Sequence, residues 1–185
     1  FKRHVVIDAS PAVIENFRQR YPESKAEIVE CFFESFETNE RFDVIVFGYI
    51  LEHVNDPVLI LKHFRQFLVQ GGKMFVTVPN GEVLNRRLGY LAGMLPDMQE
   101  LSEHDLLLGH KRYYTVETLK KDVEESGYEI KRLEGIYLKP LTTSQMISLD
   151  IDENIIKALC LVAIDYPELS CGILAELASS NAWKQ

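Results

Sequence analysis

The chain has 185 residues (21.3 kDa), of which 46% are hydrophobic and 26% charged, with a formal net charge of -8 and an isoelectric point near 5.2. This composition suits one globular domain built on an apolar core and excludes disordered, collagen-like and disulfide-scaffold chains. An acidic chain also lacks the cationic surplus that neutralises phosphates, so nucleic acid is not expected as a partner.

No apolar run approaches the roughly 20 residues that span a bilayer, and no charged-then-apolar leader opens the chain. A soluble, cytoplasmic protein with no membrane partner is expected. Cys31, Cys160 and Cys171 are odd in number and lack CxxC spacing, so they read as reduced core thiols. The chain starts at Phe1 and enters a strand-like run at His4 without a lead-in, and a preceding piece is expected to be missing.

Four short runs are continuously apolar and rich in β-branched residues: HVVID (4–8), AEIVEC (26–31), FDVIVFG (42–48) and GKMFVTVP (72–79). Strands buried on both faces of a parallel sheet read this way. Helical patterns separate them. Ser10 is a plausible N-cap with Pro11 at the first helical position, and Val13, Ile14, Phe17 and Tyr21 share a face until Pro22 ends the helix. Asp56 and Pro57 repeat the signal before an apolar stripe of Ile60, Leu61, Phe64, Phe67 and Leu68, with Gly71 and Gly72 expected as the left-handed C-terminal cap. Alternation at this spacing means βαβ units and an open parallel sheet.

From Asn80 the pattern breaks into a loop-rich stretch, 80–112, of the length that lids and binding loops take. Order resumes at Thr115, an N-cap for a helix bearing Val116, Leu119 and Val123 that Gly127 stops. A strand follows from Tyr128 to Leu133. Asp152 caps a further helix with Ile155, Ile156, Leu159 and Val162, and Cys171 to Leu177 makes a last strand. Neither a repeat nor a second domain is visible, so 1–185 reads as a single domain.

In open parallel sheets ligands bind beyond the carboxyl ends of the strands. Those ends carry Asp8, Ala9 and Ser10; Cys31, Phe32 and Phe33; Gly48, Tyr49 and Ile50; and Pro79 with Asn80. An acidic residue in the place of Asp8 accepts hydrogen bonds from ribose hydroxyls in nucleotide-binding units, about 20 residues beyond a glycine-rich turn. Counting back that far runs off the chain, and no GxGxxG occurs within it. Asp8 is equally readable as a carboxylate favoured by the helix N-terminus beside Ser10.

Three segments, VVIDASPAVIENFRQRYPE (5–23), FDVIVFGYILEHVNDPVLILKHFRQFLVQGGKMFVTVPN (42–80) and GHKRYYTVETLKKDVEESGYEI (109–130), resemble class I S-adenosylmethionine-dependent methyltransferases. The nearest branch contains quinone-biosynthesis and natural-product O-methyltransferases. The resemblance spans Val5 to about Leu133. It implies an α/β, Rossmann-like, mostly parallel sheet flanked by helices, with an antiparallel last strand after a helical insertion at 136–170. The family's first strand and glycine-rich loop are absent from this chain. The resemblance further implies S-adenosylmethionine as cofactor, with Asp8 on the ribose and the backbone of Ala9 and Ser10 beside it. Phe32, Phe33 and Glu34 would cover the adenine, and Gly48 and Tyr49 the methionine part. Phe32 stands where the family often has an Asp, so Glu34 or a main-chain carbonyl is expected to meet the adenine amino group.

Methyl transfer from a sulfonium needs alignment and exclusion of water, and a base only where the acceptor must lose a proton. His53 and His110 are the candidate catalytic residues, and each reads as well as a helix-start or packing residue. Tyr113, Asn80 and Arg112 are candidate substrate contacts. Arg86, Arg87 and Lys111 join Arg112 as the tight basic pairs near the expected mouth, where they would clamp an anionic substrate group. Glu52 with His53 also resembles the metal-binding ExxEH of small-RNA 2′-O-methyltransferases, but Tyr49 replaces the first Glu and no metal is expected. The residues thus point to a cytoplasmic methyltransferase, monomeric or homodimeric, expected to act on a small molecule at oxygen under a lid at 81–112. A catalytically inactive methyltransferase-like scaffold and an NAD-dependent oxidoreductase remain the other readings.

Overall fold

Ser10, Asp56, Thr115 and Asp152 each accept a hydrogen bond from a backbone N–H two or three residues downstream, which is how these four positions start helices. Pro11 and Pro57 follow two of them at the first helical position, where a proline costs no hydrogen bond. The computed structural model describes residues 2–179, and its backbone divides into two compact units, the first running to Glu40 and the second starting at Arg41.

In the first unit β1 (Val5–Asp8) pairs in parallel with β2 (Glu27–Glu30), register Val5 to Glu27 through Asp8 to Glu30, with α1 (Pro11–Arg20) as the crossover. Ile14 is the buried residue of α1, whereas Val13 and Tyr21 of the expected stripe are exposed. A 3-10 turn at Phe33–Ser35 follows β2.

The second unit is a four-stranded sheet in the order β3 (Phe42–Gly48), β4 (Leu68–Pro79), β6 (Gly172–Ser179), β5 (Tyr128–Ile136). β3 and β4 are parallel, and β6 runs antiparallel between β4 and β5. The antiparallel last strand is therefore present, one residue later than expected at its start. Met74, Val76, Val78, Ile173, Ala175 and Leu177 are fully buried and alternate along β4 and β6 as a packed face requires. α2 (Pro57–Arg65) and α5 (Val116–Glu125) pack on each other, α5 also on β5, and their Ile60, Leu61, Phe64, Leu119 and Val123 are buried. Phe64 meets Phe47 of β3 edge to face at 5.0 Å. Each such side chain contributes about 1.5–3 kcal/mol by leaving water.

Several expectations are corrected. Gly71 and Gly72 do not cap α2, which ends at Arg65. Gly71 has a φ of 77° inside β4, where the pairing with β3 jumps from Phe42–Leu68 to Val44–Lys73. A bulge accommodates the extra residues, and a left-handed glycine is what it uses. β3 is not covered on both faces, because Val44 and Val46 are exposed. The stretch 80–112 holds two helices, α3 (Leu84–Leu91) and α4 (Glu103–Leu107). The helical insertion before β6 consists of α6 (Thr143–Ser148) and α7 (Glu153–Ala163), and the expected apolar stripe of α7 is partly open, with Ile155 and Val162 exposed. The cysteines are free thiols but none is a core residue: Cys160 is exposed, and Cys31 and Cys171 are half-buried. None of the described helices is long and apolar enough to cross a membrane.

Gly135 fixes α7 to the sheet. A Cβ there would fall 2.2 Å from the carbonyl oxygen of Ala163 and 2.3 Å from Ser170 Oγ, so only glycine permits this approach.

Candidate functional site

The first unit presents its candidate residues at the carboxyl end of β1 and after β2. Asp8 Oδ1 accepts from the Ser10 backbone N–H at 2.7 Å, and Ser10 Oγ accepts from Val13 N at 3.4 Å. The turn from β1 into α1 is thereby held by its own side chains, and Ala9 lies within it. Phe32 is 69% exposed and precedes the 3-10 turn that contains Phe33 and Glu34. An aromatic side chain so open to water is available to cover a flat ligand.

In the second unit β3 delivers Gly48 and Tyr49. A Cβ on Gly48 would meet nothing within 4 Å, so the strand ends beside open space. Tyr49 has a φ of 57°, a left-handed backbone unusual for a large side chain, and its amide donates to the Thr77 carbonyl at 3.0 Å. Its hydroxyl reaches the start of β6, where a Cβ on Gly172 would come within 2.6 Å of it.

The turns that follow bring together residues distant in sequence. Glu52 is fully buried and neither carboxylate oxygen has a hydrogen-bond partner. Burial, only partly opposed by its own backbone N–H, pushes its pKa from an ordinary 4.5 to about 7. The rings of His53 and His110 meet edge to face, 4.7 Å between centroids. His110 Nδ1 lies 3.4 Å from Asp105 Oδ1 without forming an aligned hydrogen bond. Burial and the neighbouring His53 lower the His110 pKa, against the opposing pull of Asp105. For Asp105 burial acts upward, but hydrogen bonds from Ser102 and Tyr113 outweigh it and hold the carboxyl below its usual range. The Tyr113 hydroxyl donates to Asp105, and the Arg86 guanidinium sits 4.7 Å over the Tyr113 ring.

Of the sequence-predicted residues, His53, His110 and Tyr113 thus converge. Asn80 and Arg112 have structural employment. Asn80 is buried, its Nδ2 donates to the carbonyls of Ser170 at 2.9 Å and Glu168 at 3.1 Å, and its Oδ1 accepts from Glu82 N. Arg112 donates to the carbonyls of Leu51 and Asn55. The other basic residues are engaged too: Arg86 with the carbonyls of Met98 and Glu100, Arg87 with Glu82, and Lys111 with Asn55. Glu52 and Asp105 are members of the cluster that the sequence did not single out as site residues. For Asp105 the signal was present as Ser102-x-x-Asp105, a capping box that closes in the structure. Glu52, His53 and His110 each offer one ligand atom, all within 4.8 Å of one another, so the three could hold a divalent cation.

A parallel βαβ unit in the first 40 residues and, in the second unit, a mixed sheet with an antiparallel strand inserted beside β4 and polar side chains gathered beyond the end of β3 are the features of Rossmann-like S-adenosylmethionine-dependent methyltransferase folds. A family model described as methyltransferase domain matches residues 1–133, and the chain belongs to that family. The ubiquinone biosynthesis O-methyltransferase of Parvibaculum lavamentivorans is 32% identical over 120 residues, 62% of this chain and 44% of that protein. The human mitochondrial protein of the same name is 29% identical over 124 residues, 64% of this chain and 30% of its own length. The chain spans half or less of these curated relatives. Among solved structures, an S-adenosylmethionine-dependent methyltransferase from Mesorhizobium loti superposes with a TM-score of 0.62 at 16% identity, covering 95% of this chain and 79% of that one. The N-methyltransferase NodS from Bradyrhizobium japonicum, solved with S-adenosyl-L-homocysteine, gives 0.54 at 16% identity over 95% and 66%. At these identities the structures establish the shared fold.

Proposed function

We propose that the protein to which this chain belongs transfers a methyl group from S-adenosylmethionine to an oxygen of a small-molecule acceptor. The observation that carries the reading is the cluster of Glu52, His53, Asp105, His110 and Tyr113 beyond the end of β3, in a chain whose curated relatives are O-methyltransferases. When bound, S-adenosylmethionine supplies an electrophilic methyl on a sulfonium. In the first unit, Asp8 is assigned to the ribose hydroxyls, with Ala9 and Ser10 supporting it and Phe32 to Glu34 covering the adenine. In the second, the open space at Gly48 suits close approach of a ligand to backbone, and Gly48 and Tyr49 are assigned to the methionine part.

His110 is the better placed of the two candidate bases. Its lowered pKa leaves the ring neutral near pH 7, and with a proton on Nδ1 facing Asp105, its Nε2 is left to accept the acceptor's hydroxyl proton. Asp105 and Tyr113 orient that ring, and the 81–112 lid excludes water. The test is methyl transfer by the full-length protein from labelled S-adenosylmethionine to a panel of hydroxylated aromatic acceptors. His110→Ala should lose turnover, at least 100-fold, with cofactor affinity by calorimetry unchanged. Tight cofactor binding with no transfer to any acceptor would favour a binding scaffold, and binding of NAD in place of S-adenosylmethionine would end the reading.

A further inference from the structure

The second unit contains a cavity of about 410 Å3 between α3 and the 140–145 segment that leads into α6. Its walls include Leu88, Gly89, Ala92, Leu95, Pro140 and Leu141. We infer that this cavity receives an uncharged apolar part of the acceptor molecule, and that Gly89 is the residue that keeps it open. The word acceptor rests on the methyltransferase reading; the cavity and its ligand chemistry do not.

Gly89 gives the most direct indication. It lies inside α3, where glycine is the poorest choice after proline because it loses the most backbone freedom. Its φ is not in the left-handed region, and a Cβ added there would meet only Leu95 Cβ, at an ordinary 3.8 Å. The packing of the chain therefore does not ask for glycine, in contrast to Gly135 and Gly172. What the missing side chain leaves is room in the cavity.

Position and charge say what the room is for. α3 follows the end of β4 and the 140–145 segment follows the end of β5; both strands are antiparallel to β6, so the two segments leave the same edge of the sheet. That edge is where ligands of open α/β sheets bind, and the volume falls within the roughly 300–1,000 Å3 of small-molecule sites. The one charged side chain in the lining, Arg86, is committed elsewhere: Nε donates to Met98 O at 3.0 Å, Nη2 to Glu100 O at 2.7 Å, and the guanidinium covers the Tyr113 ring. With those donors engaged, the described lining offers no further charged side chain to an ionic ligand. The same arginine joins the cavity to the cluster, because Tyr113 binds Asp105 and Asp105 faces His110. A molecule with its apolar part between α3 and Pro140 has its other end directed along this wall.

The uncharged fluorophore N-phenyl-1-naphthylamine is the probe, titrated into the full chain. Saturable one-to-one binding is expected, weakened at least 10-fold in Gly89→Leu, whose melting temperature should equal or exceed that of the parent because leucine favours the helix. Ala92→Leu is a second, independent plug for use if the first fails to fold. Leu59→Ser, 51% exposed on α2 and outside the lining, should leave the affinity unchanged. Equal probe affinity in the parent and a folded plugged variant, or an equal loss in Leu59→Ser, would overturn the cavity assignment and leave the methyltransferase reading standing. Probe binding that the plugs abolish, in a protein that does not bind S-adenosylmethionine, would do the reverse.

Discussion

The segments that leave β3 and β4 and the helices inserted between the later strands solve opposite problems. Around Glu52 and Asn80 polar side chains are buried and several are tied into the backbone, Asn80 to Ser170 and Glu82, Ser170 to Tyr166, Arg112 to Leu51, while the Glu52 carboxylate and His110 Nδ1 are left without a hydrogen-bond partner. On α3, α4, α6 and α7 large apolar side chains stand in water, among them Leu91, Leu107, Ile147 and Leu161. The first region spends hydrogen bonds to fix one geometry. The second leaves apolar surface unspent, and contact with something other than this chain is what that surface suits. A site whose chemistry is rigid and whose specificity is adjustable needs both.

The comparison breaks most easily where the two regions are pinned together. Gly135→Ala should be the most damaging single substitution, destabilising by ~3 kcal/mol or more, since the added methyl overlaps the Ala163 carbonyl and Ser170 together. Chemical denaturation measures it. Asn80→Ala comes next, at about 2–3 kcal/mol, because it strands the Ser170 and Glu168 carbonyls and the Glu82 amide in a buried setting. If Asn80→Ala were neutral, the buried polar network would not be what fixes this region.

Glu52 sharpens the comparison through pH. Its folded-state pKa of about 7 lies above the ordinary 4.5, so the folded state holds its proton more tightly than the unfolded one. The stability this lends is present in full below pH 4.5 and is lost as pH rises through 7. Glu52→Gln should flatten the dependence between about pH 4.5 and 7 and be relatively more stable than the parent at pH 8, measured with a chelator present. An unaltered pH profile would mean that the carboxylate is solvated or paired.

Much of the framework was legible because its signals are local. Ser10, Asp56, Thr115 and Asp152 announce their helices through residues two or three positions away, and the β-branched runs at 42–48 and 72–79 fall within β3 and β4. Gly71 was misread because a left-handed glycine ending a helix and one inside a bulge look the same until the neighbouring strand is in place. α3 and α4 were hidden by Gly89, Gly93 and Pro96, which break the helical period. At the site, His53 and His110 could be named as reactive types, but their edge-to-face meeting depends on the path of the intervening chain. Glu52 was read only as part of a possible metal motif, since the ordinary expectation for a glutamate is solvent.

The smallest effect is the most telling for the inserted helices. Leu107 is 86% exposed, so the apolar area it removes from water on folding is slight, and replacing it by serine should change the stability of the isolated chain by no more than about 0.5 kcal/mol. Leu91→Ser, at 76% exposed, should behave alike. A buried leucine such as Leu119 would lose several-fold more on the same change. A loss above ~1 kcal/mol at either surface position would show that these side chains already pack within the protein in solution, for instance against a second copy, and the loss would then depend on protein concentration. A loss independent of concentration would instead place the contact within the chain, and the inserted helices would have to be counted with the rigid framework.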